Sequence, residues 1–409
     1  MPPSNLETWR RVADDEALLR RAADCDPTDV ASVARLRKHA SPDEAAVALE
    51  LIKARRKAAA KFPDHATRLI ADATGVEQAT SFVAARHKAE RFRDAGLTRV
   101  TDLCCGVGGD ALGLVAAGLD VTAVDLDPVR AWMAGQNAGC ATRVADAEGL
   151  IAEAPHHASR ENREGGSQSP GALHLDPARR TDAGRVFRLA DYQPSPTTIR
   201  RLLEHFGDTG VKLSPAINLD ELEDTFSVGD AEVEFISEAG RLVQAVLWTG
   251  RLARPDTPRS ATLLVDNQTH RLTGPPGETE FAPAGRYLFT VDPAVERAGL
   301  MAELGLPAVH PRLGLLTSDD LNAASSPWLT GFELLAELPW HAHDPRKVRG
   351  WLADHDGGII EVKTRGKAVD PDHAQKLLRG PGNTPYTVFV LRFDQRLAAL
   401  ITRRLENTC

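Results

Sequence analysis

Residues 102–110 read DLCCGVGGD, and this stretch decides the fold. Gly106 and Gly108, with Ala111 three residues further on, fit the G-x-G-x-x-[GA] pattern of a strand-to-helix turn that holds a nucleotide-like cofactor. Glycines there let the chain turn tightly and let backbone approach the ligand. Around the turn, strand-like and helix-like segments alternate. TRVTDLC is expected as a strand, GDALGLVAAG as a helix, LDVTAVDL as a strand, DPVRAWMAGQNAG as a helix and ATRVADA as a short strand. Such alternation signals parallel βαβ units with helices on both faces of the sheet.

The pattern continues on both sides. The polar stretch 154–171, APHHASRENREGGSQSPG, breaks in as a loop without apolar periodicity. ALHLDPARR and TGVKLSP resume the sheet as buried strands, and AEVEFISEAGRLVQAVLWTG reads as an antiparallel hairpin that closes it. Upstream, the first 95 residues read as helices; in SPDEAAVALELIKARRKAAAKFP, Ser41 is the N-cap, Pro42 the first helical residue and Glu44 the partner in a capping box. Downstream, RLARPDTPRS reads as a linker into an α+β region. The expected organisation is a helical region at 1–95, a Rossmann-like α/β domain at 96–250 and an α+β region at 251–409, with its last domain from about residue 335.

Charge is unevenly spread. The net −8 of the chain divides into +3 for residues 1–100, −16 for 101–344 and +5 for 345–409. Basic ends leave room for phosphate contacts that the total would hide. Five cysteines form no C-x-x-C pair, so neither a zinc site nor a disulfide scaffold is expected, and no bound metal is assigned. No apolar run approaches the roughly 18 residues of a membrane helix, and the N-terminus lacks signal-peptide character, so a cytoplasmic protein is expected.

Three carboxylates separate the cofactor classes. Asp125 ends the second strand 19 residues after Gly106, where it can accept ribose hydroxyls in either class. Asp102 ends the first strand, where a carboxylate can face an ammonium group; a nicotinamide cofactor has no such group beside its pyrophosphate. Asp146 ends the third strand, within reach of an adenine amine, and Asp176-Pro177 ends the fourth, at the carboxyl edge where open α/β sheets hold ligands. The order is that of a class I S-adenosylmethionine-dependent methyltransferase. The expected cofactor contacts are Asp102, Cys104, Gly106, Gly108 and Gly109 on the turn, with Asp125, Leu126, Asp146 and Ala147 at the strand ends.

TDLCCGVGGDALGLVAAG, VTAVDLDP, LHLDPARR and GVKLSP together resemble the bacterial class I methyltransferases that carry a C-terminal THUMP-like domain. GRYLFTVDPAVERAGLMAELG and GIIEVKTRGKAVDPD are similar to the C-terminal part of that family, so the resemblance covers roughly residues 75–409. It implies a helical N-terminal region, a Rossmann-like catalytic domain and an RNA-associated appendage. In ATSFVAARHKAERF, Thr80 and His87 resemble the T-P-E-x-x-x-x-H helix of trimethylguanosine synthases, with Phe82 where the glutamate stands there. That likeness adds Thr80 and His87 to the candidate cofactor contacts.

On the acceptor side, Asp176-Pro177-Ala178-Arg179 is similar to the Asp-Pro-Pro-aromatic motif of amino-methyltransferases. The Asp and first Pro are kept, while Arg179 replaces the stacking ring and Arg180 follows. Asp176, Pro177 and Arg179 are therefore the candidate catalytic residues. Cys104 and Cys105 read as packing residues on the cofactor strand, distant from the acceptor motif, rather than as nucleophiles. Lys212, at the end of another strand, either touches substrate or pairs with an acid. In EVKTRGK, Lys363, Arg365 and Lys367 alternate along a strand and hence share one face, where they could track an RNA backbone or simply be solvated.

The function expected is methyl transfer from S-adenosylmethionine to RNA (rRNA or tRNA) at a nitrogen. A small-molecule or protein methyltransferase, or a non-catalytic RNA-binding protein on the same fold, are the alternatives. Calorimetry should therefore show S-adenosylhomocysteine binding and no NADH binding, and Asp125→Ala should weaken the former by about 1–3 kcal/mol.

Overall fold

The computed structural model describes residues 5–153, 171–179, 188–226, 229–310, 314–341, 344–365, 368–393 and 396–405. Most of the polar stretch read as a loop, residues 154–170, lies outside them, as do Arg180, Lys367 and the side chain of Arg179. Packing divides the chain into two compact units, 1–233 with 244–258, and 234–243 with 259–409.

The first unit opens with helices α1 (Leu6–Asp14), α2 (Glu16–Ala23), α3 (Val30–Leu36), α4 (Pro42–Ala58), α5 (Ala73–Gln78) and α6 (Phe82–Asp94). Helix α4 starts as its sequence dictates: Ser41 caps the Glu44 amide, the Glu44 side chain returns to the Ser41 amide, and Pro42 sits in the first turn. It buries Val47, Ala48, Leu51 and Ala54 at helical spacing. Helix α6 is capped by Ser81 and buries Ala84, Ala85, Lys88, Ala89 and Phe92.

The α/β part follows as β1 (Arg99–Leu103), α7 (Gly109–Ala116), β2 (Asp120–Asp125), α8 (Pro128–Ala138), β3 (Ala141–Val144), α9 (Ala147–Glu153) and β4 (Ala172–Leu175). Then come a two-residue pair β5 (Ala178–Arg179) and β6 (Tyr192–Gln193), helix α10 (Pro196–Phe206), β7 (Thr209–Leu213), α11 (Leu219–Phe226), β8 (Glu232–Glu238) and β9 (Arg241–Trp248). Within this unit the strand order is β9–β7–β4–β1–β2–β3. Strand β1 pairs in parallel with both β2 and β4, so the order reverses there and opens a crevice above the carboxyl ends of β1 and β4. Strand β9 runs antiparallel to β7, as the hairpin reading expects, but the hairpin does not close the sheet, whose strand order continues beyond it. Trp248 is fully buried, and the Arg91 guanidinium lies 4.6 Å over its ring while pairing with the buried Glu232.

The second unit contains the rest of the hairpin, residues 234–243, with β10 (Arg259–Val265) and β11 (Gln268–Gly274). It continues with β12 (Tyr287–Val291), α12 (Pro293–Ala298), β13 (Leu315–Ser318), β14 (Leu329–Pro339), α13 (Arg346–Asp354), β15 (Gly357–Thr364), α14 (Pro371–Leu378), β16 (Thr384–Phe393) and β17 (Arg396–Arg404). Six of these strands form a sheet in the order β13–β12–β14–β17–β16–β15. Val348 and Leu352 of α13 and Ala374 and Leu378 of α14 pack with Val388 and Ile401 of that sheet. Helix α12 stops at Ala298, because Gly299 turns left-handed at φ 73°.

Close approach of α6 and α7 places the site. A Cβ on Gly113 would lie 2.5 Å from the Ala85 carbonyl carbon and 2.7 Å from its Cβ. Gly113→Ala should destabilise the first unit by about 1–3 kcal/mol, read as a lower thermal midpoint. Gly350 in α13 has open space at that position, and Gly350→Ala should instead be neutral or stabilising by about 1 kcal/mol.

Candidate active site

The glycine turn leaves the carboxyl end of β1 through three left-handed residues, Cys104 (φ 59°), Gly106 (φ 54°) and Gly108 (φ 83°). The two glycines do different work. A Cβ on Gly108 would meet the Ala134 backbone of α8 at 2.7 Å, so the hydrogen there permits helix packing. A Cβ on Gly106 would meet nothing within 4 Å, so this residue borders open space. Gly109 is packed against the segment entering α6, where a Cβ would lie 3.0 Å from the Thr80 carbonyl.

Asp125 reaches across from the end of β2. Its carboxylate accepts the Gly106 amide at 2.9 Å and the Asp127 amide at 3.0 Å. Burial pushes the Asp125 carboxyl up from its ordinary value, against the pull of those two amides. Beside it, Leu126 is 72% exposed and Val144, the register partner of Asp125 on β3, is 54% exposed. Two aliphatic side chains left in solvent next to a glycine turn form an apolar flank suited to a flat ring. Asp146 is exposed and accepts the Gly149 amide at 2.7 Å, while Ala147 is buried.

Asp102 does not open to this crevice as the sequence reading expects. It is fully buried, and its Oδ1 lies 2.7 Å from His174 Nδ1 on β4, its register partner. The other ring nitrogen of His174 lies 3.1 Å from Lys88 Nζ, and Lys88 pairs with Asp110 at 2.6 Å. Thr80 donates to Asp110 Oδ2 at 2.8 Å, so Thr80 belongs to this buried chain, and His87 is also buried. Lys88, His174 and Asp110 were not singled out from the sequence. Lys88 had a readable signal, since it stands in the apolar stripe of α6.

Asp176 follows β4, and its amide is tied to the Leu103 carbonyl at 3.1 Å. Its carboxylate is partly exposed, and Oδ2 accepts Lys212 Nζ at 2.6 Å. Lys212 thus pairs with an acid, one of the two readings open for it. Oδ1 of Asp176 has no partner among the described residues. Pro177 is buried. Ala178 and Arg179 pair with Tyr192 and Gln193, and the Tyr192 hydroxyl accepts the Ser214 amide at 2.8 Å, bracing the loop after β4 against the end of β7. Cys104 is not remote from the acceptor motif, contrary to the sequence reading. Its thiol faces the Ala178 amide and interacts with Asp125, Asp176 and Asp102, because the left-handed turn directs it toward β4. On the second unit's strand β15, Lys363 pairs with Glu361 at 3.3 Å, and Arg365, just past the strand, pairs with Glu296 at 3.3 Å.

Comparison with known proteins decides the family. Over 323 residues the chain is 34% identical to an uncharacterized S-adenosylmethionine-dependent methyltransferase of Mycobacterium tuberculosis, covering 78% of this chain and 83% of that one. The chain belongs to the S-adenosylmethionine-dependent methyltransferases. The counterpart in strain H37Rv of the same organism matches equally. Residues 329–404, from the start of β14 to the end of β17, match the THUMP domain-like family. A crystal structure of a Porphyromonas gingivalis W83 protein assigned as a methyltransferase superposes with a TM-score of 0.70 at 18% identity, covering 97% of this chain and 99% of that one. At that identity the likeness concerns fold alone, and it spans both units. Among the described residues, no helix of the methyltransferase is long and apolar enough to cross a membrane.

The turn fits S-adenosylmethionine: open space over Gly106, a carboxylate across it and an apolar flank beside it are what a nucleoside with a charged tail requires. The cysteines of the turn are not nucleophiles in this setting. Burial, with Asp125, Asp176 and Asp102 close by, pushes the Cys104 thiol far up, and burial with Asp102 does the same to Cys105. Cys140 is pushed up to about 11, again chiefly by burial. At pH 8 the native methyltransferase should therefore resist alkylation by iodoacetamide at Cys104 and Cys105. Peptide mass spectrometry should find both modified once the chain is unfolded.

Proposed function

We propose that this methyltransferase delivers its methyl group to a nitrogen of an RNA. The observation that carries the nitrogen is the Asp176 carboxylate: one oxygen is fixed by Lys212, and the other, at the edge of the crevice, is without a partner among the described residues. A carboxylate held by one oxygen can accept an N–H through the other, which points the nitrogen lone pair along the line of transfer. Pro177 and the β5–β6 pair keep that carboxylate where it is. In this reading the cofactor lies along Gly106, Asp125 and Leu126, with Val144 and Asp146 at its adenine end. S-adenosylmethionine supplies an electrophilic methyl group, and the chain supplies position.

RNA is supported by the THUMP domain-like match and by the +5 charge of residues 345–409. One observation favours a protein or small-molecule acceptor instead: Lys363 and Arg365 already have Glu361 and Glu296 as partners, which is what a strand face not meant for phosphate would show.

Asp176→Ala should abolish methyl transfer while leaving S-adenosylhomocysteine affinity within a few-fold of wild type, since it removes acceptor positioning alone. Loss of cofactor affinity with activity would move the acceptor site elsewhere. Replacing Lys363, Arg365 and Lys367 together by Ala should weaken RNA binding at low salt. It should also flatten the log–log salt slope by about 1–2, at about 0.7 per phosphate contact on a single strand. An unchanged slope would put the protein or small-molecule acceptor ahead.

A further inference from the structure

The ionic chain beneath the turn is unbalanced. Lysine carries donors only, so the contact between Lys88 and His174 Nε2 requires that nitrogen to be bare, and the ring proton lies on Nδ1 toward Asp102. The imidazole is therefore neutral. Two buried carboxylates, Asp102 and Asp110, then face one ammonium, Lys88. Among the described residues, the titratable groups around Asp102 are His174 of β4, Lys88 of α6, Asp110 of α7 and the thiols of Cys104, Cys105 and Cys140, while β2 places the apolar Ala123 beside it. Asp102 Oδ2 is buried and has no hydrogen-bond partner among the described residues.

Burial pushes Asp110 up, but the Lys88 ammonium beside it, with Lys212 adding to the pull, overcomes this and holds its carboxyl below the ordinary range. At Asp102 burial prevails over the pull of His174 and Lys88, and its carboxyl is raised. A buried charge without a counterion is costlier than a neutral carboxylic acid, so the excess falls on Asp102.

We propose that Asp102 stores a proton in the free methyltransferase and gives it up to solvent when the cationic cofactor settles on the turn two residues away. The O–H bond at Asp102 Oδ2 breaks heterolytically, the proton passes to water or buffer, and no covalent bond forms to the cofactor. In a low-dielectric site the added positive charge offsets the carboxylate left behind. S-adenosylmethionine carries a sulfonium that S-adenosylhomocysteine lacks, so methyl transfer removes that offset. Asp102 then takes a proton back, and the site holds product less firmly than cofactor. Lys88 and His174 act as positioning residues, fixing which carboxylate carries the proton.

The test is calorimetry of both ligands, at several pH values between 5 and 8, in phosphate and in Tris, whose heats of ionisation differ. S-adenosylmethionine should release up to about one proton on binding, and S-adenosylhomocysteine clearly less. Asp102→Asn should remove the release. Equal release by both ligands, no release, or release that persists in Asp102→Asn overturns the proposal. Should that variant fail to fold by circular dichroism, the wild-type protein decides. Its affinity ratio for cofactor over product should rise with pH, approaching tenfold per pH unit where Asp102 is protonated without cofactor. A ratio independent of pH overturns the proposal. If neither ligand gives binding heat, the cofactor assignment fails and the proton store with it; binding without proton transfer overturns the proton store alone.

Discussion

Asp102 and His174 stand side by side, in register, on neighbouring parallel strands at the centre of the sheet. Strands so placed are usually apolar throughout, because helices cover both faces. Polar groups there must find partners inside the protein, and α6 and α7 supply them through Lys88 and Asp110, with Thr80, just before α6, bonded to Asp110. The result constrains the position of α6. Its lysine reaches the sheet because Gly113 lets the two helices touch. Such a network adds little net stability compared with apolar packing, but each member left alone would be costly, and this enforces one arrangement.

That constraint fixes the floor on which the functional elements lie. Cys104 leaves the end of β1 in a left-handed conformation, a non-glycine residue at a cost of about 1–2 kcal/mol. What it gains is proximity: the thiol is brought near Ala178 and Asp176 on the segment after β4. Lys212 binds the same region from β7, since it neutralises Asp176 and also helps hold Asp110 ionised. The glycine turn and the loop that carries Asp176 are thus held by one connected set of polar contacts.

Much of this was legible in the sequence because it is written in short-range patterns. The turn, the alternation of strands and helices and the capping box at Ser41 depend on residues a few positions apart. Asp125, Leu126 and Asp176 follow from their place at strand ends. The buried chain is different in kind. Lys88 and His174 are 86 residues apart, and nothing local in LHLDPARR distinguishes a histidine that completes an ionic chain from one that only fills space. Lys88 alone left a trace, as a charge at a core position of a helical stripe. Nor could the alternation in EVKTRGK show that Arg365 faces Glu296, which belongs to a distant helix. The strands β14 and β17, which frame the THUMP domain-like segment, escaped the sequence reading altogether. In LTGFELLAELP and RLAALITRR, polar and apolar residues do not alternate cleanly, and a register shift interrupts their pairing.

The hairpin of β8 and β9 is divided, its base counted in the first unit and its tip, residues 234–243, in the second. The chain therefore leaves the first unit, enters the second, returns and departs again. No single cut yields both units intact. A gene fragment ending after Trp248 carries ten residues that belong elsewhere, and one beginning at Arg259 lacks them. A simple end-to-end fusion or loss of either part would meet the same obstacle.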